Sequence, residues 1–309
     1  MNESILTKYR PEDWDEVVGQ DQVVRSLEAA IEKHTGTTFL FTGPSGTGKT
    51  SLARIAAIKL GCKPADLLEV DAATNTGIDE MRAVTEGLMY RPLGEGSVKA
   101  IIIDECHALS KAATQSLLKV LEEPPSWVFW FLCTTEPTKI IKAIQTRCLS
   151  YQLKEVRTDD LIDLLASTEE AKDVDDKILS LCAREAAGSP RQALANLAVC
   201  LTAANSKEAA ELLASASEQK EAFELARALL NGAGWGEIRE LLASLKETSP
   251  ESVRHVVRAY MTKVVLEAKS PTAAEDAFAI LEAFSQPFNS FDGMSPLVLA
   301  CGKLVLGGE

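Results

Sequence analysis

Residues 101–110 read IIIDECHALS. Three isoleucines run directly into two carboxylates, Asp104 and Glu105, followed by Cys106 and His107. Together with Val98, Lys99 and Ala100 the run is almost wholly apolar, which is the pattern of a β-strand covered on both faces. Two readings compete. The letters Asp-Glu-Cys-His form a unit in themselves, or the apolar run and its two acids form the second half of a phosphate site whose first half lies upstream. The surrounding sequence decides between them.

Upstream, residues 38–43 (TFLFTG) are β-prone and end in glycine, and residues 49–60 carry apolar residues at helical spacing before Gly61. Between them stands Gly43-Pro44-Ser45-Gly46-Thr47-Gly48-Lys49-Thr50, a GxxxxGK[ST] run in the strand-to-helix setting that a phosphate-binding loop requires. Its glycines let backbone N–H groups face phosphates, and the helix N-terminus adds a positive dipole end. In this reading Lys49 reaches the β- and γ-phosphates of ATP and Thr50 ligates Mg²⁺. Asp104 holds the same Mg²⁺ through water, and Glu105 polarises the attacking water as general base.

Further strands are expected at 66–72, 98–105, 128–135 and 149–153, with helices at 77–89 and 111–123. Alternating strands and helices argue for a parallel sheet. After about residue 155 the strand signal ends, and the remainder reads as helices with breaks at Asn231-Gly232, Ser249-Pro250 and Ser270-Pro271. The expected fold is an α/β P-loop core with a five-stranded parallel sheet at 1–154, a helical lid at 155–205 and an all-α collar at 206–309. A DExH helicase needs a second α/β domain, and residues 155–309 offer helices only. Asp104-Glu105 is therefore read as a Walker B end, and His107, without partner ligands in the sequence, as a satisfied buried histidine.

Several segments together resemble the AAA+ clamp-loader ATPases. They are Lys8-Tyr9-Arg10-Pro11 with Trp14 and Val17-Val18-Gly19-Gln20, SKAATQSLLKVLEEPP at 110–125, TTEPTKIIKAIQTRC at 134–148 and AGSPRQA at 187–193. The likeness runs from about residue 5 to 200 and is greatest to the γ/τ subunits of bacterial DNA polymerase III. It implies an ATP-driven motor subunit that opens a sliding clamp and places it on primer–template DNA. Thr135 takes the sensor-1 place. Arg147 is the finger that enters a neighbouring subunit's site, and Arg191 reaches the γ-phosphate in cis. Tyr9, Pro11 and Val18 form part of the adenine pocket. The implied partners are the clamp, DNA and further loader subunits in a ring, taken as pentameric. Leu88, Met89 and Tyr90 are candidate clamp anchors; Thr74, Asn75, Thr76, Arg82 and Lys111 are candidate DNA-backbone contacts. Competing readings are another AAA+ DNA remodeller, for branch migration or replication restart, and an ATP-binding scaffold. Intact Lys49, Asp104, Glu105 and Arg147 weigh against the scaffold.

The sequence also departs from those relatives. Only Cys62 stands where γ/τ subunits carry a four-cysteine zinc module, so no zinc is expected, and the long τ tail is expected to be absent. The seven cysteines show no CxxC pair, which suits free thiols in a reducing cytoplasm. MNESILTKYR has no apolar signal-peptide core and no run is long enough to span a membrane, so a cytoplasmic protein at the replication site is expected. A net charge of −13 gives no support of its own to nucleic-acid binding, so any DNA grip must come from local groups.

Overall fold

A computed structural model of the chain describes residues 4–74, 78–88, 90–92, 98–268, 271–288 and 293–307. Among these, five strands form: β1 (Thr38–Thr42), β2 (Leu67–Asp71), β3 (Lys99–Asp104), β4 (Val128–Thr134) and β5 (Leu149–Gln152). Their order is β2-β3-β4-β1-β5 and every pairing is parallel. The strand sequences are rich in β-branched and aromatic residues, which suit a pleated surface. All seven residues of the central β4 are buried, whereas the edge strand β2 is only partly covered.

Alternation along the strands sorts the core into two layers. Phe39, Phe41, Phe131 and Tyr151 face one side, where Phe39 stacks on Phe131 at 5.2 Å and Phe41 on Tyr151 at 5.7 Å. That layer is closed by Leu27 and Ile31 of a helix at Asp21–Glu32 and by Leu52 and Ile55 of the helix at Lys49–Lys59. Leu40, Ile101, Ile103, Trp130 and Leu132 face the other side. They meet Met81 and Val84 of the helix at Ile78–Gly87 and Ala113, Leu117 and Leu121 of the helix at Lys111–Glu122. With the short helices Ile5–Lys8 and Lys142–Gln145, these six are α1 to α6 in chain order.

Three helices follow: α7 (Thr158–Ala166), α8 (Asp176–Glu185) and α9 (Pro190–Cys200). They pack on one another, and α9 also packs on α1. They belong to the same compact unit as the sheet, Met1–Ser206, while Lys207–Glu309 forms a second unit. The second unit is built from α10 (Ser206–Leu230), α11 (Trp235–Ser244), α12 (Pro250–Glu267), α13 (Pro271–Ala283) and α14 (Ser295–Leu306). Its own core holds Leu225, Ile238, Val253, Val257, Met261, Phe284 and Leu297. The Ser-Pro pairs are helix starts more than breaks. Ser189 caps α9, its hydroxyl accepting from Gln192 N–H at 3.2 Å, and Pro190 and Pro250 stand in first turns, where a missing N–H costs nothing.

Among the described residues of this helical unit, Arg254 is a buried charged group. Arg254 donates through Nε to Glu251 Oε2 at 2.7 Å and through Nη1 to the Phe284 carbonyl at 3.2 Å, while Glu251 Oε2 also accepts from Phe288 N–H at 2.8 Å. The Arg254 hydrogen bonds hold the Glu251 carboxyl down at about 2, against an ordinary value of 4.5. A carboxyl depressed in the fold adds stability that is present above its unfolded pKa and is lost as pH falls through the folded one. The stability difference between wild type and Glu251→Gln should therefore be full at pH 6 and shrink between about pH 4.5 and 2. Chemical denaturation at stepped pH measures it; a difference that stays constant with pH would dismiss the ion pair.

Candidate nucleotide site

The strand order brings three carboxyl ends together. β4 lies between β3 and β1, with Thr42 opposite Thr134 and Ile103 opposite Leu132. The chain leaves β1 for the far edge and crosses back over it to reach β5, so the loop after β1 opens at a point where strand order reverses. Ligand crevices form at such points.

The loop after β1 takes the form its glycines allow. Gly43, Gly46 and Gly48 have φ of 141°, 73° and 103°. A Cβ on Gly43 would run into the Leu153 carbonyl, and one on Gly46 into the Ser189 hydroxyl, so both positions also need the missing side chain. α3 begins at Lys49, which is buried, and Lys49 Nζ donates to the carbonyls of Gly43 and Pro44, both at 2.9 Å. Burial pulls the Lys49 ammonium pKa below its ordinary value, against the opposing pull of Glu105.

Thr50 Oγ1 donates to Asp104 Oδ2 at 2.8 Å. A hydroxyl and a carboxylate held together are hard oxygen donors that fit Mg²⁺. Next in the chain, Glu105 stands at φ 46°, the left-handed region that a non-glycine residue enters only when its surroundings force it. Its Oε2 accepts from Thr135 N–H at 3.2 Å and from Thr135 Oγ1 at 2.9 Å. His107 Nδ1 lies 3.3 Å from the same oxygen and 3.0 Å from Thr134 Oγ1, while its Nε2 lies 3.1 Å from Glu136 Oε1. His107 is thus mostly buried and partnered, and it is one of the groups that hold Glu105 in place.

The other walls come from the N-terminal segment and from α7 and α9. One cavity is lined by Tyr9, Arg10, Pro11, Val17 and Val18, by Ser45 to Ser51, by Asp104 and Glu105, and by Leu164, Pro190, Arg191 and Leu194. Its apolar side suits a planar base and its polar side a polyphosphate. Arg191 enters at the start of α9, where its backbone N–H approaches the Gly46 carbonyl at 3.5 Å. Gly43 and Pro44 stand behind the cavity wall, their carbonyls turned to Lys49. Thr135 reaches the site through Glu105. Arg147 does not line this cavity: its Nη2 pairs with Glu122 Oε1 at 2.6 Å and its Nη1 donates to the Ala143 carbonyl at 2.8 Å.

Some groups were not legible as site residues. Tyr9 Oη donates to Glu170 Oε2 at 2.6 Å and accepts from Glu169 N–H at 2.8 Å, and Lys8 Nζ pairs with both acids at 2.7 and 3.1 Å. The base wall is therefore tied to the segment between α7 and α8. Gln20 is buried and bonds the Lys154 backbone twice, donating at 2.7 Å and accepting at 3.2 Å. Arg10 stood between two expected pocket residues, which was the available signal for it.

Among the clamp-anchor candidates, Leu88 is corrected. It is 4% exposed and closes the core beside Met81 and Val84, because the end of α4 points inward there. Tyr90 is 73% exposed. Met89, Asn75 and Thr76 lie outside the described residues, and Thr74, Arg82 and Lys111 are exposed.

The β2-β3-β4-β1-β5 sheet, the Gly43–Thr50 loop and the acids at the end of β3 define a P-loop protein of the AAA+ class. The family model described as DNA polymerase III, delta subunit, matches residues 65–157. The chain is 33% identical over 219 residues to DNA polymerase III subunit tau of Bacillus subtilis, covering 63% of this chain and 39% of that protein. It is likewise 33% identical over 219 residues to DNA polymerase III subunit gamma of Buchnera aphidicola, covering 59% of the latter. It thus spans less than two thirds of the length of either relative. Among solved structures, the Thermotoga maritima RuvB Holliday junction branch migration motor matches with a TM-score of 0.56 at 22% identity, over 85% of this chain and 93% of that one, a likeness of fold. Over these stretches the chain is similar to the gamma and tau subunits of DNA polymerase III. Among the described residues, no helix is long and apolar enough to cross a membrane.

The hydroxyl of Thr135 supplies one of the hydrogen bonds that aim Glu105. Its loss in Thr135→Val should lower kcat for ATP about 10- to 100-fold, the range for a hydrogen bond to a charged group, and leave KM within about twofold. Steady-state kinetics decides, and an unchanged kcat would remove Thr135 from the site.

Proposed function

We propose that the chain is an ATP-hydrolysing motor subunit of a sliding-clamp loader. The observation that carries this reading is the grouping of Lys49, Thr50–Asp104 and Glu105–Thr135 in one crevice, with Arg147 displayed outside it. Tyr9, Pro11 and Val18 receive the base. Residues 45–50 wrap the phosphates with backbone N–H groups, and Lys49 leaves its two carbonyls for the β- and γ-phosphates. Thr50 and Asp104 hold Mg²⁺, which when bound neutralises charge on the phosphate oxygens. Glu105, aimed by Thr135 and His107, takes the proton of the attacking water as it adds to the γ-phosphorus and ADP leaves. Arg191 meets the γ-phosphate in cis, so the segment 155–205 moves with nucleotide state as a lid on the core 1–154.

A complete loop and a finger on one chain allow copies to act head to tail, each finger completing the next site. The reading is a ring, pentameric as in the family the sequence resembles, held by residues 206–309 as a collar and working in the cytoplasm at the replication site. ATP binding orders the ring on the clamp and on primer–template DNA, and the DNA grip triggers hydrolysis and release. Thr74, Asn75, Thr76, Arg82 and Lys111 are the proposed phosphate contacts, and Met89 and Tyr90 the proposed clamp anchors. A branch-migration motor shares the fold, but the gamma and tau relatives favour the loader.

Two outcomes test the reading. Glu105→Gln should bind ATP with unaltered affinity and hydrolyse it at least about 100-fold more slowly, the scale of general-base catalysis. Residual hydrolysis near the wild-type rate would exclude Glu105 as the base. In the assembled ring, primer–template junctions should stimulate ATP hydrolysis more than single strands or blunt duplex do. Arg147→Ala should lower that activity on the order of 10³-fold without changing ATP affinity of the isolated chain. Mixed rings should show the defect in the neighbour of the mutated copy; a defect confined to the mutated copy's own site would refute the finger.

A further inference from the structure

We infer that Arg10 is a further cationic contact for the polyphosphate of the bound nucleotide, acting in cis beside Lys49 and Arg191. The inference rests on the nucleotide reading above and adds a residue to it. Arg10 lines the cavity together with the apolar wall of Pro11, Val17 and Val18 and the loop residues Gly46 to Thr50. Its backbone is fixed from both sides. Arg10 N–H donates to the Thr7 carbonyl at 3.1 Å, Tyr9 is tied to Glu170 by its hydroxyl, and Pro11 disfavours a helical conformation at the residue before it.

The guanidinium itself has five donors, yet among the described residues it makes no hydrogen bond and no ion pair. Acidic side chains are near but engaged elsewhere: Glu69 pairs with Arg54, and Asp104 accepts from Thr50. Glu16 also lines the cavity, and its Oε2 accepts from the Glu12 N–H at 2.8 Å. Arg191, on the facing wall, makes no side-chain hydrogen bond among the described residues either. A half-buried guanidinium, Arg10, and a more exposed one, Arg191, neither with a protein acceptor for its side chain among the described residues, therefore line one cavity with the ammonium of Lys49. Such crowding is unfavourable in the protein alone. Burial first, and then the charges of Arg54 and Arg191, pull the Arg10 pKa below its ordinary value. An anion of high charge entering between these groups reverses the sign of the interaction and supplies acceptors for their donors. A nucleoside polyphosphate is such an anion, and the apolar wall next to Arg10 fixes where its base must stand.

The alternative is an arginine whose stem merely packs against the wall. Titration of a fluorescent ATP analogue into wild type, Arg10→Gln, Arg10→Lys and Lys49→Ala separates the two, with thermal melting of each variant alongside. Arg10→Gln keeps most of the stem and removes the charge. It should bind about 10- to 100-fold more weakly, the range expected for a lost hydrogen bond between charged groups, with its melting temperature unchanged. Arg10→Lys, which restores the charge, should recover a large part of that loss. If wild type binds, Lys49→Ala does not, and Arg10→Gln binds within about threefold of wild type, the Arg10 contact is wrong while the nucleotide site stands. The contact is also wrong if Arg10→Lys binds as weakly as Arg10→Gln and both melt early, since that is the behaviour of a packing residue. Absence of ATP binding by the wild-type chain would overturn this inference and the nucleotide reading together.

Discussion

The parallel register of β3, β4 and β1 decides where the ionisable groups of the site can stand. Thr42 is opposite Thr134 and Ile103 opposite Leu132, so the loop of Gly43, the acids at 104 and 105 and the threonines at 134 and 135 emerge side by side. What holds this register is packing. Phe39, Phe41 and Phe131 fill one layer, while Leu40, Trp130 and Leu132 fill the other. A slip of one residue would carry Trp130 into the layer where Phe39, Phe41 and Tyr151 stack and would expel Phe131 from it. The core sequence therefore specifies the crevice as strongly as it specifies the sheet.

Within the crevice, opposite charges are kept near but not joined. Asp104 is bonded to the Thr50 hydroxyl, Glu105 to Thr135, and Lys49 to two backbone carbonyls. Neutral partners hold each ionised group in a fixed direction without consuming it in a salt bridge. Breaking a hydrogen bond to a neutral group costs less than separating a buried ion pair, so these groups are available to a phosphate and its cation. The left-handed backbone at Glu105 belongs to the same design. Strain there is sustained by Thr135 and His107 on one side and by the start of the next turn on the other, since Ala108 N–H bonds the Glu105 carbonyl at 2.8 Å.

The sequence disclosed what is local and periodic. The loop at 43–50 and the acids after β3 could be read because their chemistry is set by neighbouring residues and by an apolar run that only a buried strand explains. Expected strand and helix ends fell within a residue or two of those observed, as with 66–72 against Leu67–Asp71. Long-range relations were not legible. Tyr9 and Glu170 are 161 residues apart, and neither is unusual in its own stretch. Arg10 could not be distinguished from a surface arginine until the cavity showed what stood around it. Leu88 was misread because an apolar residue near the end of a helix gives no sign of which way it points. His107 was read as a satisfied histidine and is partnered, but besides the nearby Glu105 its partners, on β4 and just beyond it, lie 27 and more residues away.

The same physics bears on the proposed finger. Arg147 comes from the QTRC run and Glu122 from the LEEPP run, two stretches that the structure joins by a salt bridge at 2.6 Å. Both side chains are partly exposed, at 34% and 55%, so water screens the pair and it contributes at most about 1 kcal/mol. The stem of Arg147 is nevertheless directed, because Nη1 also bonds the Ala143 carbonyl at the start of α6. A weak partner that sets direction without holding tightly suits a group destined for another acceptor. In the proposed ring, transfer of Arg147 from a hydrated carboxylate to a desolvated phosphate of the neighbouring subunit exchanges a screened interaction for a less screened one. The difference between these two environments, rather than the strength of either contact alone, would make hydrolysis depend on how closely adjacent subunits approach.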